Sequence, residues 1–305
     1  MKARIWALAF AAVLVFGVSA GSAFAQRDAS SPASRHQRYD PDHPVTPPAP
    51  AADDSQLKPR SNASPDSTDT CTYKFTSGSG NTYLQFCVTV NGNVVEFQSP
   101  VGIEQLSPGG SAAYEGYGIC DVTTGTAYWD YAGNGDSGNW NAPTKLSLTG
   151  TSVKIERITS DGAWTLTQTF TSVEGFDASA KIAMALKNDS AEDKQVALLR
   201  YANAVPYSGS PYQEDYDGTY ESAWGYAQGF YGLILQDVGF PTPTTLAWER
   251  EAFPIDTIGG PAPCNADAKS EEPILGNVGS LVNWVEIITL KKAQTVTVTD
   301  RYMQF

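Results

Sequence analysis

The stretch from Thr144 to Pro206 constrains this chain most, because it reads as five consecutive β-strands. Thr144–Leu148 is a short strand. Ser152–Thr159 puts Val153 and Ile155 on one face, and Ile158 breaks that parity, which predicts a bulge near Glu156-Arg157. Asp161-Gly162 has the composition of a two-residue primed hairpin turn. In Ala163–Thr171, Trp164, Leu166 and Phe170 point one way. Thr165, Thr167, Thr169 and Thr171 point the other, where β-branched residues suit a solvated sheet face. Ala180, Ile182, Met184 and Leu186 repeat the alternation. Gln195–Tyr201 is apolar on both faces, as a strand covered on two sides must be. The pattern predicts an all-β, two-layer antiparallel β-sandwich.

The flanking sequence extends this reading. Cys71–Thr76 and Thr82–Cys87 flank the loop Ser77–Asn81, and Asn91-Gly92 is a turn signal before a strand at Asn93–Gln98. Strands follow at Tyr114–Val122, Ala127–Tyr131, Gly232–Gln236 and Thr245–Trp248, and Leu281–Leu290 with Thr295–Tyr302 close the chain. Tyr207 to Gly232 reads as a long insertion, and Glu251 to Gly279 as a Pro- and Gly-rich loop.

Met1 to Ala25 has a basic start, an apolar run and the small-residue ending Ala23-Phe24-Ala25, the pattern of a cleaved secretory signal peptide. Residues 26–70 form a Pro-, Ser- and Ala-rich leader with few large apolar residues, too polar to offset the entropy of ordering and expected to be disordered. The folded region is expected as one domain over 71–305. Cleavage removes Lys2 and Arg4 and no acid, so 18 basic residues face 33 acids and the mature net charge is −15. Such a surface repels phosphate backbones, which disfavours nucleic-acid partners. No later stretch is apolar enough to span a membrane after cleavage. A secreted or periplasmic location follows.

Export carries Cys71, Cys87, Cys120 and Cys264 into an oxidising compartment, where two disulfides are the default. The Gly-rich hairpin favours Cys71–Cys87 and leaves Cys120–Cys264 by elimination.

Both histidines, His36 and His43, fall in the leader. The folded region therefore has no Ser-His-Asp or Cys-His catalysis and no His metal site. It also lacks the His acid or base that a sugar mutarotase would want. Two aromatic and acidic clusters remain. One is Tyr128-Trp129-Asp130-Tyr131 with Trp140. The other holds Tyr207, Tyr212, Glu214, Asp215, Tyr216, Asp217, Tyr220, Glu221 and Trp224. Sugars lay a C–H face on an aromatic ring while carboxylates take hydroxyls, so Tyr128, Trp129, Asp130, Trp140, Tyr212, Tyr216, Tyr220 and Trp224 are the candidate ligand contacts. The competing reading is that these rings cover a sandwich edge.

Catalytic candidates are few. A glycosidase would pair Asp130 with Glu214 or Glu221. A lyase would use Tyr201 as base, with Arg200 and Asn203 neutralising a uronate carboxylate. Arg200 shares a face with Val196 and Leu198, which instead points it inward toward a structural carboxylate partner. No cofactor is expected. Asp215-x-Asp217-Gly218 offers oxygen ligands of the kind calcium takes, without EF-hand spacing.

The long hairpins from Val153 to Tyr201, the insertion after them and the terminal strand pair resemble, in rhythm alone, the supersandwich of galactose-mutarotase-like and polysaccharide-lyase domains. Leu290 to Val298 is similar to the closing hairpin of secreted bacterial β-sandwich modules, without the Pro-Gly such turns carry. Neither likeness implies a residue role. The leading reading is a non-catalytic exported protein that binds glycan or another cell-envelope component. The alternatives are a carbohydrate-active lyase or hydrolase and a structural component of the envelope.

Overall fold

The computed structural model describes residues 70–106, 115–204, 214–219, 222–227, 232–255, 260–266, 274–275 and 280–304, with only the backbone described at 214–219, 227 and 274–275. The signal peptide, the leader up to residue 69, Tyr207, Tyr212, Tyr220 and Glu221 lie outside the described residues.

Eighteen strands are present among the described residues. They are β1 (Tyr73–Ser77), β2 (Leu84–Val88), β3 (Val94–Gln98), β4 (Glu115–Asp121), β5 (Thr126–Ala132), β6 (Gly135–Asp136), β7 (Thr144–Leu148), β8 (Ser152–Ile158) and β9 (Trp164–Val173). The chain continues with β10 (Ser179–Asn188), β11 (Lys194–Ala202), β12 (Glu214–Thr219), β13 (Ser222–Ala227), β14 (Gly232–Asp237), β15 (Trp248–Ile255), β16 (Ile274–Leu275), β17 (Ser280–Leu290) and β18 (Thr295–Gln304). They form a nine-stranded sheet, β16-β12-β13-β14-β18-β10-β9-β8-β7, and a six-stranded sheet, β15-β17-β11-β4-β5-β6. A three-stranded sheet, β1-β2-β3, completes the set. The architecture is all-β, with antiparallel sheets packed against one another.

The alternating residues behave as their parity predicts. Trp164, Leu166 and Phe170 are buried with Ile182, Met184 and Leu186 in the core, while the threonines of β9 face outward and are only partly covered. At about 25 cal/mol per Å² of apolar area, each such side chain contributes about 1.5–3 kcal/mol. Strands β7 to β10 run consecutively through the nine-stranded sheet, and β11 crosses to the six-stranded one. There β11 is buried on both faces. Val196 and Leu198 enter the inter-sheet core, whereas Ala197, Leu199 and Tyr201 join Tyr131, Phe253, Val282 and Trp284 in a second apolar cluster on the outer face.

Three expectations are corrected. No bulge occurs at Glu156-Arg157: β8 pairs with β9 in unbroken register from Ser152↔Thr171 to Ile158↔Thr165. Strict alternation instead sends Ile158 out to solvent and Arg157 into the core. The register shift lies in β7, between Lys145 and Ser147. The turn at Asp161-Gly162 is longer than two residues. Thr159 N–H donates to the Trp164 carbonyl, and Thr159 Oγ1 takes the Trp164 N–H, so residues 160–163 form the loop. Finally, the stretches read as insertion and loop contain ladder. The hairpin β12-β13 extends the nine-stranded sheet, and β15 runs through Glu251 to Ile255 at the edge of the other.

Both disulfides are present, Cys71–Cys87 and Cys120–Cys264. The second fixes the short 3-10 turn Pro263–Asn265 onto the outer face of the six-stranded sheet. Gly118 makes room for it, since a Cβ there would lie 2.4 Å from Pro263 Cγ.

Candidate functional site

Strand alternation divides the first aromatic–acidic cluster between the two faces of β5. Tyr128 and Asp130 point into the sandwich, whereas Trp129 and Tyr131 point to the outer face. Tyr128 is buried and donates its O–H to Asp161 Oδ2 at 2.6 Å. Trp140 is buried edge-on against Tyr117 and Tyr128, and its indole N–H donates to the Trp129 carbonyl at 3.1 Å. In the second cluster, the described side chain is Trp224, which is buried. Tyr216, Glu214, Asp215 and Asp217 stand on β12, Tyr216 opposite Gly225 and Asp217 opposite Trp224.

The fold places Glu214 away from Asp130, while Glu221, the other partner considered for Asp130, lies outside the described residues. Glu214 begins β12, which packs against β15. Asp130 lies on β5, four strand positions from β15 in the six-stranded sheet. Four interstrand spacings are about 19 Å, beyond the several ångströms a glycosidase pair requires.

Asp130 belongs instead to a buried ionic group. Arg157 Nη1 donates to Asp130 Oδ2 at 2.6 Å and Nη2 to Asp136 Oδ2 at 3.1 Å. Arg157 Nε donates to the Asn141 carbonyl, and the guanidinium lies 5.2 Å from the Trp140 ring centre. Burial pushes the Asp130 carboxyl up to about 7, against the pull of Arg157.

Arg200 anchors a second buried group and is fully enclosed. It pairs with Glu115, and its Nη1 donates to Gln168 Oε1 at 2.7 Å. The rings of Phe170, Tyr117 and Tyr302 surround the guanidinium at 5.5–6.0 Å. Glu115 also accepts the Val94 N–H at 2.6 Å and the Tyr302 O–H at 2.8 Å. Burial raises its carboxyl, while Arg200 and these donors oppose the rise. Tyr201, the candidate base, is buried on the opposite face and shares a hydrogen bond with Ser280. Burial pushes its phenol up, away from the range a base needs.

The tight turn between β2 and β3 reaches into this interior. The Asn91 carbonyl accepts the Tyr117 O–H at 2.8 Å, and Asn93 Nδ2 donates to the Asp130 backbone carbonyl at 3.1 Å. Gly92 is required there: its φ is +93°, and a Cβ would lie 2.4 Å from Gln168 Nε2. Arg157, Glu115, Tyr117, Gln168 and Tyr302 are the residues sequence reasoning missed. Parity could have found two of them. Arg157 continues the Val153-Ile155 face, and Gln168 sits between Leu166 and Phe170 on the buried face of β9.

Glu104 is a further acid, half-buried. Its Oε1 accepts the Phe97 N–H at 2.8 Å and the Leu106 N–H at 3.2 Å, and burial pushes it up to about 7. A folded-state value above the unfolded one means that stability is present below about 4.5 and is lost as pH rises through about 7. Glu104→Gln keeps the acceptor oxygen and removes the charge. At pH 8 the variant should be more stable than the parent by about 2 kcal/mol, with the difference gone at pH 4. Urea midpoints measured from pH 4 to 8.5 check this, and a gap that does not change with pH would refute it.

The outer face of the six-stranded sheet holds the described aromatic side chains that reach solvent in this region. Trp129 is half-buried and stacks on Tyr131 with ring centres 5.3 Å apart. Ser137 flanks it on one side, donating its backbone N–H to the Trp129 carbonyl and accepting the Trp129 N–H. On the other side lie Gly118 and the Pro263 that covers it. Asn139 is held nearby through Ser137 Oγ and the Ala127 carbonyl. Along the same row come Leu199, Trp284 and Glu251, with Glu286 bound to Gln195 one step away.

These features define the class: an all-β sandwich protein with two disulfides, a charged interior and an aromatic outer face. No family model matches the chain, and no curated protein matches it. Among solved structures it is similar to a provisionally assigned aldose 1-epimerase from Escherichia coli K12, with 14% identity and a TM-score of 0.41 over 76% of this chain and 98% of that one. It is also similar to a bacterial glucoamylase complexed with acarbose, with 10% identity and a TM-score of 0.48 over 77% of this chain. The match spans 32% of the glucoamylase. No residue role passes from either protein to this one.

Proposed function

We propose that the protein is an exported, non-catalytic glycan-binding protein whose contact surface is the outer face of the six-stranded sheet around Trp129. The observation that carries this reading is Trp129 itself: a half-buried ring on a rigid strand, bordered by Ser137 and Asn139. An aromatic face beside hydroxyl and amide groups suits the C–H face and the hydroxyls of a sugar. Two disulfides fit an oxidising compartment, and no helix among the described residues is long and apolar enough to cross a membrane. The commitment of Asp130 and Arg200 to buried ion pairs supports binding over catalysis.

Trp129→Ala should weaken binding at least about tenfold on a glycan array or in titration calorimetry, with little change in melting temperature. Trp224 is a poor probe, since a truncation there would open a buried cavity. Unchanged affinity in Trp129→Ala, or no glycan bound by the parent, would overturn the proposal. Release of reducing ends or unsaturated products from a polysaccharide panel would favour the enzyme reading instead.

A further inference from the structure

We infer that the inter-sheet corner formed by Asp237, Asp300 and Asn283 holds a hard, oxygen-seeking cation, with calcium the first probe. Asp237 and Asp300 stand directly opposite each other on β14 and β18. Val238 N–H donates to the Thr299 carbonyl, which makes 238 and 299 a hydrogen-bonded pair. The adjacent pair, Asp237 and Asp300, is then of the non-hydrogen-bonded type, whose Cα atoms lie about 4.5 Å apart with side chains close together. Two buried carboxylates are held side by side there, an arrangement that is repulsive unless charge is supplied.

The charge is supplied on one side only. Arg250 reaches across from β15 and donates to Asp237 Oδ2 at 3.1 Å and to the Gly239 carbonyl at 3.0 Å. Its guanidinium packs against the rings of Phe240 and Trp248, which also pack against each other. Asp300 is fully buried and receives the amide N–H of Asn283 on Oδ1. Its Oδ2 and Asn283 Oδ1 have no hydrogen-bond partner among the described residues. Arg200, the other cation facing this corner, is engaged by Glu115, Gln168 and the Gly92 carbonyl. An isolated carboxylate away from water costs several kcal/mol unless it is balanced or neutralised.

The two side chains enter the same interior from different sheets, Asn283 on the face of β17 that carries Leu281 and Val285, and Asp300 on the face of β18 that carries Val298 and Tyr302. The donor set contains oxygen and no nitrogen or sulfur, which selects calcium, magnesium or sodium over transition metals. A cation there would balance Asp300 and bridge the sandwich. The site is separate from Asp215 and Asp217 on β12.

The test uses the whole mature protein, treated with chelator and exchanged into a buffer free of sodium, magnesium and calcium. Each cation is then titrated while melting is followed. The melting temperature should rise by about 5–10 °C at a hundredfold excess over Kd. Elemental analysis should find about one ion per chain, and Asp300→Asn should lose both the ion and the shift. Asn283→Asp adds a carboxylate and should move the titration midpoint to lower concentration, which keeps the test open if Asp300→Asn folds poorly. If the parent retains no ion and none of the three cations moves its melting temperature, the carboxyl pair shares a proton and the inference fails. It fails equally if Asp300→Asn responds as the parent does.

Discussion

Arg200→Met should destabilise the protein by about 3–5 kcal/mol. Arg200 lies wholly inside the sandwich, and its guanidinium is the counter-charge for Glu115, which is equally enclosed. Methionine fills much of the same volume but leaves Glu115 with the Val94 N–H and the Tyr302 O–H and no positive charge. Gln168 Oε1 and the Gly92 carbonyl lose a donor at the same time. An orphaned buried charge costs more than an intact pair contributes, so the pair should be strongly asymmetric in a mutant cycle. Adding Glu115→Gln removes the stranded charge while keeping an acceptor for the Val94 N–H. The double variant should therefore recover half or more of the loss. Urea unfolding of the parent, both single variants and the double measures the cycle. A single-variant cost below about 1 kcal/mol would show that water reaches this pair.

This ion pair marks where the sequence was legible and where it was not. The strands of 144–202 could be read because their alternation is set by burial on one face, a property local to each strand. The double-sided burial of β11 was legible for the same reason. The inward direction of Arg200 followed from Val196 and Leu198, but its partner did not: Glu115 lies 85 residues away on β4, and no local pattern links two strands that meet through sheet pairing. Arg157 shows the opposite failure. Ile158 breaks the parity of Val153 and Ile155, and that break points to a bulge near Glu156-Arg157. The chain instead keeps register and supplies Asp130, Asp136 and the Trp140 ring around it. Asp130 looked like a ligand contact because composition does not show which face of β5 a residue takes, and its neighbour Trp129 takes the other.

The second large effect concerns the cover of that outer face. Replacing Cys120 and Cys264 with alanine should cost about 4–5 kcal/mol, because the bond closes a separation of 144 residues in the unfolded chain. Removing Cys71–Cys87, whose separation is 16, should cost about 3 kcal/mol in the same chain-entropy treatment. The longer bond should also matter locally. It holds Pro263 against Gly118, and the same segment brings the Pro261 carbonyl to the Tyr131 O–H at 2.7 Å and Gly260 against the Tyr131 ring. Tyr131 supports the stack under Trp129. Without the bond, the described part of this segment rests on these contacts and on the burial of Pro261, Pro263 and Ala266, and the ring that Trp129 stacks on loses part of its backing. The Cys120→Ala, Cys264→Ala protein should therefore lose glycan affinity along with stability, whereas the Cys71→Ala, Cys87→Ala protein should lose stability alone. Urea midpoints and acrylamide quenching of tryptophan fluorescence, each compared with a Trp129→Phe background, separate the two effects. Equal quenching in both disulfide variants would mean that the 260–266 segment keeps its place without the bond, and that Cys120–Cys264 acts only on the unfolded chain.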